Sequence, residues 1–133
     1  MALKSETFPV QTSDDVVRVR QIVRSWAVEL KFSLVDMTKF VTATSELARN
    51  TLEHGGGGTM IAHMVENGAK KGIKLVFNDE GPGIADMELA LRGGYSTGSG
   101  MGLGLSGSKR LVNEFDIQSE LGHGTTVTII RWK

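Results

Sequence analysis

The chain has no cysteine among its 133 residues, so it can form neither a disulfide nor a thiolate metal site. It has only two prolines, one tyrosine and three histidines. The histidines, His54, His63 and His123, lie far apart and show no metal-ligand spacing. Net charge is also missing: 15 basic residues balance 15 acidic ones. That balance argues against a protein built mainly to grip nucleic acid, which usually carries a basic excess. No apolar run reaches the length of a membrane span. The segment Met1–Val10 carries Lys4 and Glu6 and lacks the apolar centre of a secretion signal. These absences lead us to expect a cytoplasmic protein with no membrane or nucleic-acid partner. The length suits one domain over residues 1–133, large enough to bury a core without staples.

Glycine is the residue in excess. Nine of the 17 glycines fall between Gly81 and Gly107, which concentrates backbone freedom in one stretch. Regular patterns lie on both sides of it. Residues 2–10 read as a strand, with Pro9 suited to an edge because it cannot donate to a ladder. Thr12-Ser13-Asp14-Asp15 offers an N-cap and an acidic first turn. Val16, Val19, Val23, Trp26, Ala27 and Leu30 then recur at helical spacing, with Arg18, Arg20 and Arg24 off that stripe. A second helix is expected over 36–54, with an apolar stripe of Met37, Phe40, Val41, Thr44, Leu47, Ala48 and Thr51. Gly55-Gly56-Gly57-Gly58 stops it. Two strands, 59–66 and 72–78, form an antiparallel hairpin joined by residues 67–71. A third helix is expected over 103–115, then strands over 116–121 and 125–132. The order predicts an α+β two-layer sandwich, with a mixed, mainly antiparallel sheet covered on one face by about three helices.

Four short motifs carry chemistry. Glu46 and Asn50, four residues apart, stand one turn above the other on a helix. A carboxylate and an amide oxygen so placed can serve a proton transfer and a Mg²⁺ ion, which keeps waters and phosphates as its other ligands. The spacing alone equally fits a solvated polar face. Asp79 ends an apolar strand and meets the turn Gly81-Pro82-Gly83, where its carboxylate can accept from an exocyclic amine; Asp and Gly are also ordinary turn residues. Gly100, Gly102 and Gly104 precede or open the third helix, where free N–H groups and the helix dipole favour phosphate. Gly102–Gly107 satisfies G-x-G-x-x-G, but no apolar strand precedes it and no βαβ unit follows. Gly107-Ser108-Lys109 is out of register for a P-loop, and the His-Arg-Asp and Asp-Phe-Gly motifs of the common protein kinases are absent.

In combination these motifs resemble the GHKL ATPase/kinase superfamily, with its Bergerat ATP-binding fold. Ser45-Glu46-Leu47-Ala48-Arg49-Asn50 is similar to the N-box, and Asp79-Glu80-Gly81-Pro82-Gly83 to the first glycine box. Gly100–Leu105 is similar to the second, and Gly122-His123-Gly124-Thr125 to the last. Within the superfamily the N-box wording, and Gly94-Tyr95-Ser96-Thr97 before the second glycine box, resemble the anti-sigma regulatory serine/threonine kinases of RsbT-like, stressosome type. The resemblance implies ATP and Mg²⁺ as cofactors. It implies Asn50 as the Mg²⁺ ligand, Glu46 as general base and Asp79 as the adenine partner. Gly81 and Gly83 would shape the pocket, Gly100, Gly102 and Gly104 would wrap the phosphates, and Thr125 would lie near the base. A short lid is expected over 84–99. The implied activity is phosphorylation of a STAS-domain antagonist or scaffold protein, with a PP2C-type phosphatase as a further partner. The alternative is a non-catalytic, ATP-responsive switch that activates such a phosphatase or sequesters a sigma factor.

Overall fold

In the computed structural model, residues 2–81 and 103–133 are described. The expected positions Gly83, Gly100 and Gly102 and the lid over 84–99 lie outside them. The strands are β1 (Ala2–Val10), β2 (Gly58–Asn67), β3 (Lys70–Asp79), β4 (Glu114–Glu120) and β5 (Gly124–Trp132). The helices are α1 (Ser13–Glu29), α2 (Leu34–Glu53) and α3 (Leu103–Arg110). One five-stranded sheet has the order β1-β2-β3-β5-β4, and every neighbouring pair is antiparallel. The α+β two-layer expectation holds, with no parallel pair among the described strands.

Each helix begins where its sequence offers an acceptor. Thr12 caps α1 by accepting from Asp15 N at 3.1 Å, and the Asp15 carboxylate accepts from Gln11 N at 2.9 Å in return. The arrangement is a variant of the capping box, in which aspartate takes the usual glutamate place and reaches the N–H one residue before the N-cap. Ser33 caps α2 by accepting from Asp36 N at 3.1 Å. The predicted stripe of α1 is buried at Val16, Val19, Val23, Trp26 and Ala27, and that of α2 at Phe40, Val41, Thr44, Leu47, Ala48 and Thr51. Arg18, Arg20 and Arg24 face solvent. Both stripes meet one sheet face, where Met60, Ala62, Met64, Ile73, Leu75, Phe77, Val127 and Ile129 alternate inward. Burying an aliphatic or aromatic side chain in such a core stabilises the fold by roughly 1.5–3 kcal/mol each. Pro9 lies in an edge strand, opposite Thr59.

Several element boundaries differ from expectation, two of them with a clear physical cause. The β2–β3 hairpin closes through Gly68-Ala69 alone, since Asn67 pairs with Lys70. Gly68 takes φ +62°, which matches the twist of a two-residue hairpin. The third helix ends at Arg110, not at 115. Leu111 N donates to Ser108 O, Asn113 N donates to Ile130 O, and Glu114 and Phe115 join the ladder to β5. Pairing with β5 therefore takes residues whose local pattern also suited a helix. Trp132 is partly buried, and its indole N–H donates to the Glu114 carboxylate at 2.8 Å.

Candidate nucleotide site

The site is assembled at one end of the sheet, where β3 ends, β5 begins and α2 gives way to glycine. Asp79 is the last residue of β3, with Gly58 opposite it on one side and Thr125 on the other. Its Oδ1 accepts from Gly81 N at 2.9 Å. Burial pushes the Asp79 carboxyl above its ordinary value, while the N–H groups of Gly81 and Thr125 and the nearby His54 pull the other way. The group is thus half withdrawn from water yet holds acceptor capacity.

Glycines let three backbone segments close on Asp79. A Cβ at Gly55 would overlap the Asp79 side chain, with Oδ2 at 2.7 Å. A Cβ at Gly81 would stand 2.6 Å from Gly55 Cα, and one at Gly124 would overlap the Asp79 carbonyl. Gly124 also takes φ +85°, a region costly for other residues. The sequence motif had marked Gly81 and Gly124; it had treated Gly55 only as part of a helix stop. The signal for Gly55 is the coincidence of a helix end and a strand end, which only the tertiary structure reveals.

Glu46 and Asn50 project from α2, which runs to the turn that holds Gly55 against Asp79. Asn50 O accepts from both His54 N at 3.0 Å and Gly55 N at 3.2 Å, so the backbone of Asn50 is part of that junction. The Asn50 side-chain nitrogen is buried and has no hydrogen-bond partner among the described residues. An orphaned buried N–H donor is costly, by about 1–3 kcal/mol, and suits an oxygen acceptor such as a water or a phosphate; a cation would use the amide oxygen instead. Glu46 stays reachable: its side chain is 40% exposed and its Oε1 lies 3.4 Å from Arg49 Nη1. Thr125 is buried, and its hydroxyl is 2.8 Å from that of Ser119. Gly104 falls within α3, just past its start at Leu103. Among the described residues no cluster of three His, Cys, Asp or Glu side chains exists to cage a metal. A lone amide oxygen is compatible with Mg²⁺, which takes its remaining ligands from phosphates and water.

A hollow of about 280 Å³ opens beside Asp79, lined by Gln11, Gly57, Gly58, Thr59, Asn78, Asp79 and Glu80. Its polar edge includes Asn78, whose Oδ1 accepts from the Thr126 hydroxyl at 2.8 Å.

A helix-covered antiparallel sheet with a recessed aspartate and a helix-borne amide defines a class of nucleotide-binding domain. The chain belongs to the family of histidine kinase-, DNA gyrase B- and HSP90-like ATPases, whose model matches residues 35–133. It is 42% identical over 123 residues to the serine/threonine-protein kinase RsbT of Bacillus subtilis (strain 168), covering 92% of each chain. It is 28% identical to the anti-sigma F factor of Geobacillus sp. (strain WCH70), over 85% of this chain and 81% of that one. Among solved structures it resembles that of the RsbU and RsbW domains from Mycobacterium tuberculosis, with a TM-score of 0.66 and 22% identity. That likeness covers 98% of this chain but spans only 33% of the other, and it concerns the fold.

Proposed function

We propose that this protein is a Mg-ATP-dependent serine/threonine protein kinase that acts on STAS-domain regulatory proteins in a partner-switching pathway. The observation that carries the reading is the junction of α2 with the ends of β3 and β5. There a half-buried Asp79 is enclosed by Gly55, Gly81 and Gly124, and α2 brings in Asn50, whose amide nitrogen has no partner among the described residues. The 42% identity to a serine/threonine kinase over nearly the whole chain supports the same class of reaction. No helix among the described residues is long and apolar enough to cross a membrane, and the reading places the protein in the cytoplasm.

On this reading Asp79 accepts a hydrogen bond from the adenine amino group, and Thr125 lies beside the base. Gly81 and Gly83 shape that pocket, while Gly100, Gly102 and Gly104 bring backbone N–H groups to the phosphates. Asn50 holds the metal through its amide oxygen, and the bound Mg²⁺ supplies charge neutralisation at the phosphates. Glu46 accepts the proton of the acceptor serine or threonine hydroxyl as its oxygen bonds to the γ-phosphorus. The bond from that phosphorus to the bridging oxygen breaks, and ADP carries the electron pair away. Catalysis is then chiefly positioning and electrostatic stabilisation, with the base contributing a further factor.

A second reading is a binding switch that acts on a PP2C-type phosphatase or a sigma factor without transfer. The 28% identity to anti-sigma F factors favours it as an accompanying role. The deciding experiment is transfer of labelled γ-phosphate from Mg-ATP to a STAS-domain protein encoded beside this gene. Label with wild type and none with Glu46→Gln establishes the kinase and its base. ATP binding without label would leave the switch.

A further inference from the structure

At the far end of the sheet from Asp79 lies a hollow of about 630 Å³, lined by Glu29, Leu30, Lys31, Ala69, Lys71 and Lys133. The C-terminal end of α1, the β2–β3 turn and the residue after β5 meet there, and Lys133 N donates to Lys71 O at 2.8 Å. Lys31, Lys71 and Lys133 are exposed, and none of their ammonium groups has an ion-pair partner among the described residues. The acidic residue of the lining, Glu29, is already engaged by Lys4 at 3.5 Å. In a chain of zero net charge this is a local cationic excess.

A second, independent observation points to the same place. Lys31 is the one non-glycine residue with positive φ among the described residues, at +63°. It follows the helix end at Leu30, where Lys31 N donates to Val28 O at 3.0 Å and Phe32 N to Ala27 O at 2.9 Å. This is a Schellman closure, in which glycine is the favoured residue at the left-handed position. Lysine there is strained, and among the described residues no hydrogen bond or ion pair of its own side chain offsets the strain. A strained lysine at the rim of the hollow, where glycine is favoured, is an outlier from which a functional hypothesis starts.

We propose that this hollow docks an acidic segment of the protein partner, with Lys31 and Lys71 as its principal cations. The proposal deepens the kinase reading, since it supplies a place for the partner chain remote from the nucleotide. A peptide suits the site better than a bare phosphate, because Leu30 and Ala69 offer apolar contact between the cations. Nucleic acid is disfavoured by the balanced charge of the chain.

The test uses fluorescein-labelled octaglutamate as probe, with octaglutamine as neutral control, in low salt. Binding to wild type is expected to weaken about two- to fivefold in each of Lys31→Gly and Lys71→Gln, the range for loss of one exposed charge pair. Arg20→Gln, on the exposed side of α1, is expected to bind as wild type. Lys31→Gly is further expected to keep or raise Tm, which separates lost docking from lost folding. Fluorescent-nucleotide binding should be the same in every variant, so a failed transfer assay and a failed docking assay are told apart. No octaglutamate binding, unchanged affinity in both lysine variants, or loss confined to Arg20→Gln would overturn the proposal. Displacement of the peptide by an equal concentration of octathymidylate would overturn it in favour of nucleic acid.

Discussion

Asp79 pays for its position in stability. Its carboxyl is raised from the ordinary 3.8 by burial, so the folded state holds the proton more tightly than the unfolded chain does. A raised carboxyl contributes stability that is complete below the ordinary value and lost as pH rises through the folded one. Asp79→Asn is therefore expected to match or exceed wild-type Tm at pH 7, with the gain vanishing toward pH 4, while fluorescent-ATP binding falls by an order of magnitude or more. A Tm below wild type at pH 7 would show that the carboxylate itself holds the junction together. Glu46→Gln is expected to leave nucleotide affinity unchanged and to lower labelled-phosphate transfer by roughly 10²–10⁴, the usual worth of a positioned base. Gly55→Ala places a methyl group into the Asp79 side chain and is expected to lower both Tm and nucleotide affinity. Residues of this kind were unevenly legible. The i,i+4 spacing of Glu46 and Asn50 and the strand-end place of Asp79 could be read directly. The duty of Gly55 could not, because its constraint comes from a residue 24 positions away.

The elements were legible where one periodicity stood alone. The apolar stripe of α1 and the alternation of Ile73, Leu75 and Phe77 each admit a single reading, and each is borne out by burial. Leu111, Val112 and Phe115 suit either a helix face or a strand, and the ladder to β5 decides for the strand from Glu114 onward. That junction is also pinned from outside: Arg131 donates to Leu111 O at 3.0 Å and to the Asp36 carboxylate at 2.5 Å. The Arg131 guanidinium holds the Asp36 carboxyl below its ordinary 3.8. A lowered carboxyl contributes stability that is present above the ordinary value and lost as pH falls through the folded one. Asp36→Asn is therefore expected to lower Tm at pH 7 and to converge on wild type below about pH 3, in thermal melts followed by circular dichroism. At the other helix start, Thr12→Ala is expected to cost about 1 kcal/mol by urea denaturation, the usual worth of a cap.

At the scale of the molecule, β5 is the strand that joins the two parts of the sheet. β1, β2 and β3 form one meander, and β4 reaches them only through β5. β5 also carries Gly124 and Thr125 to the side of Asp79, so the strand that completes the sheet completes the site. This order has a consequence during synthesis. β5 follows every other described element in the chain, so a nascent chain still lacking it holds a three-stranded meander with an open edge at β3, and Asp79 then has Gly55, Gly58 and Gly81 beside it but neither Gly124 nor Thr125. On the proposed reading, the adenine end of the nucleotide site is therefore incomplete until β5 pairs. Pairing of β5 closes that edge and completes the walls around Asp79 in one step.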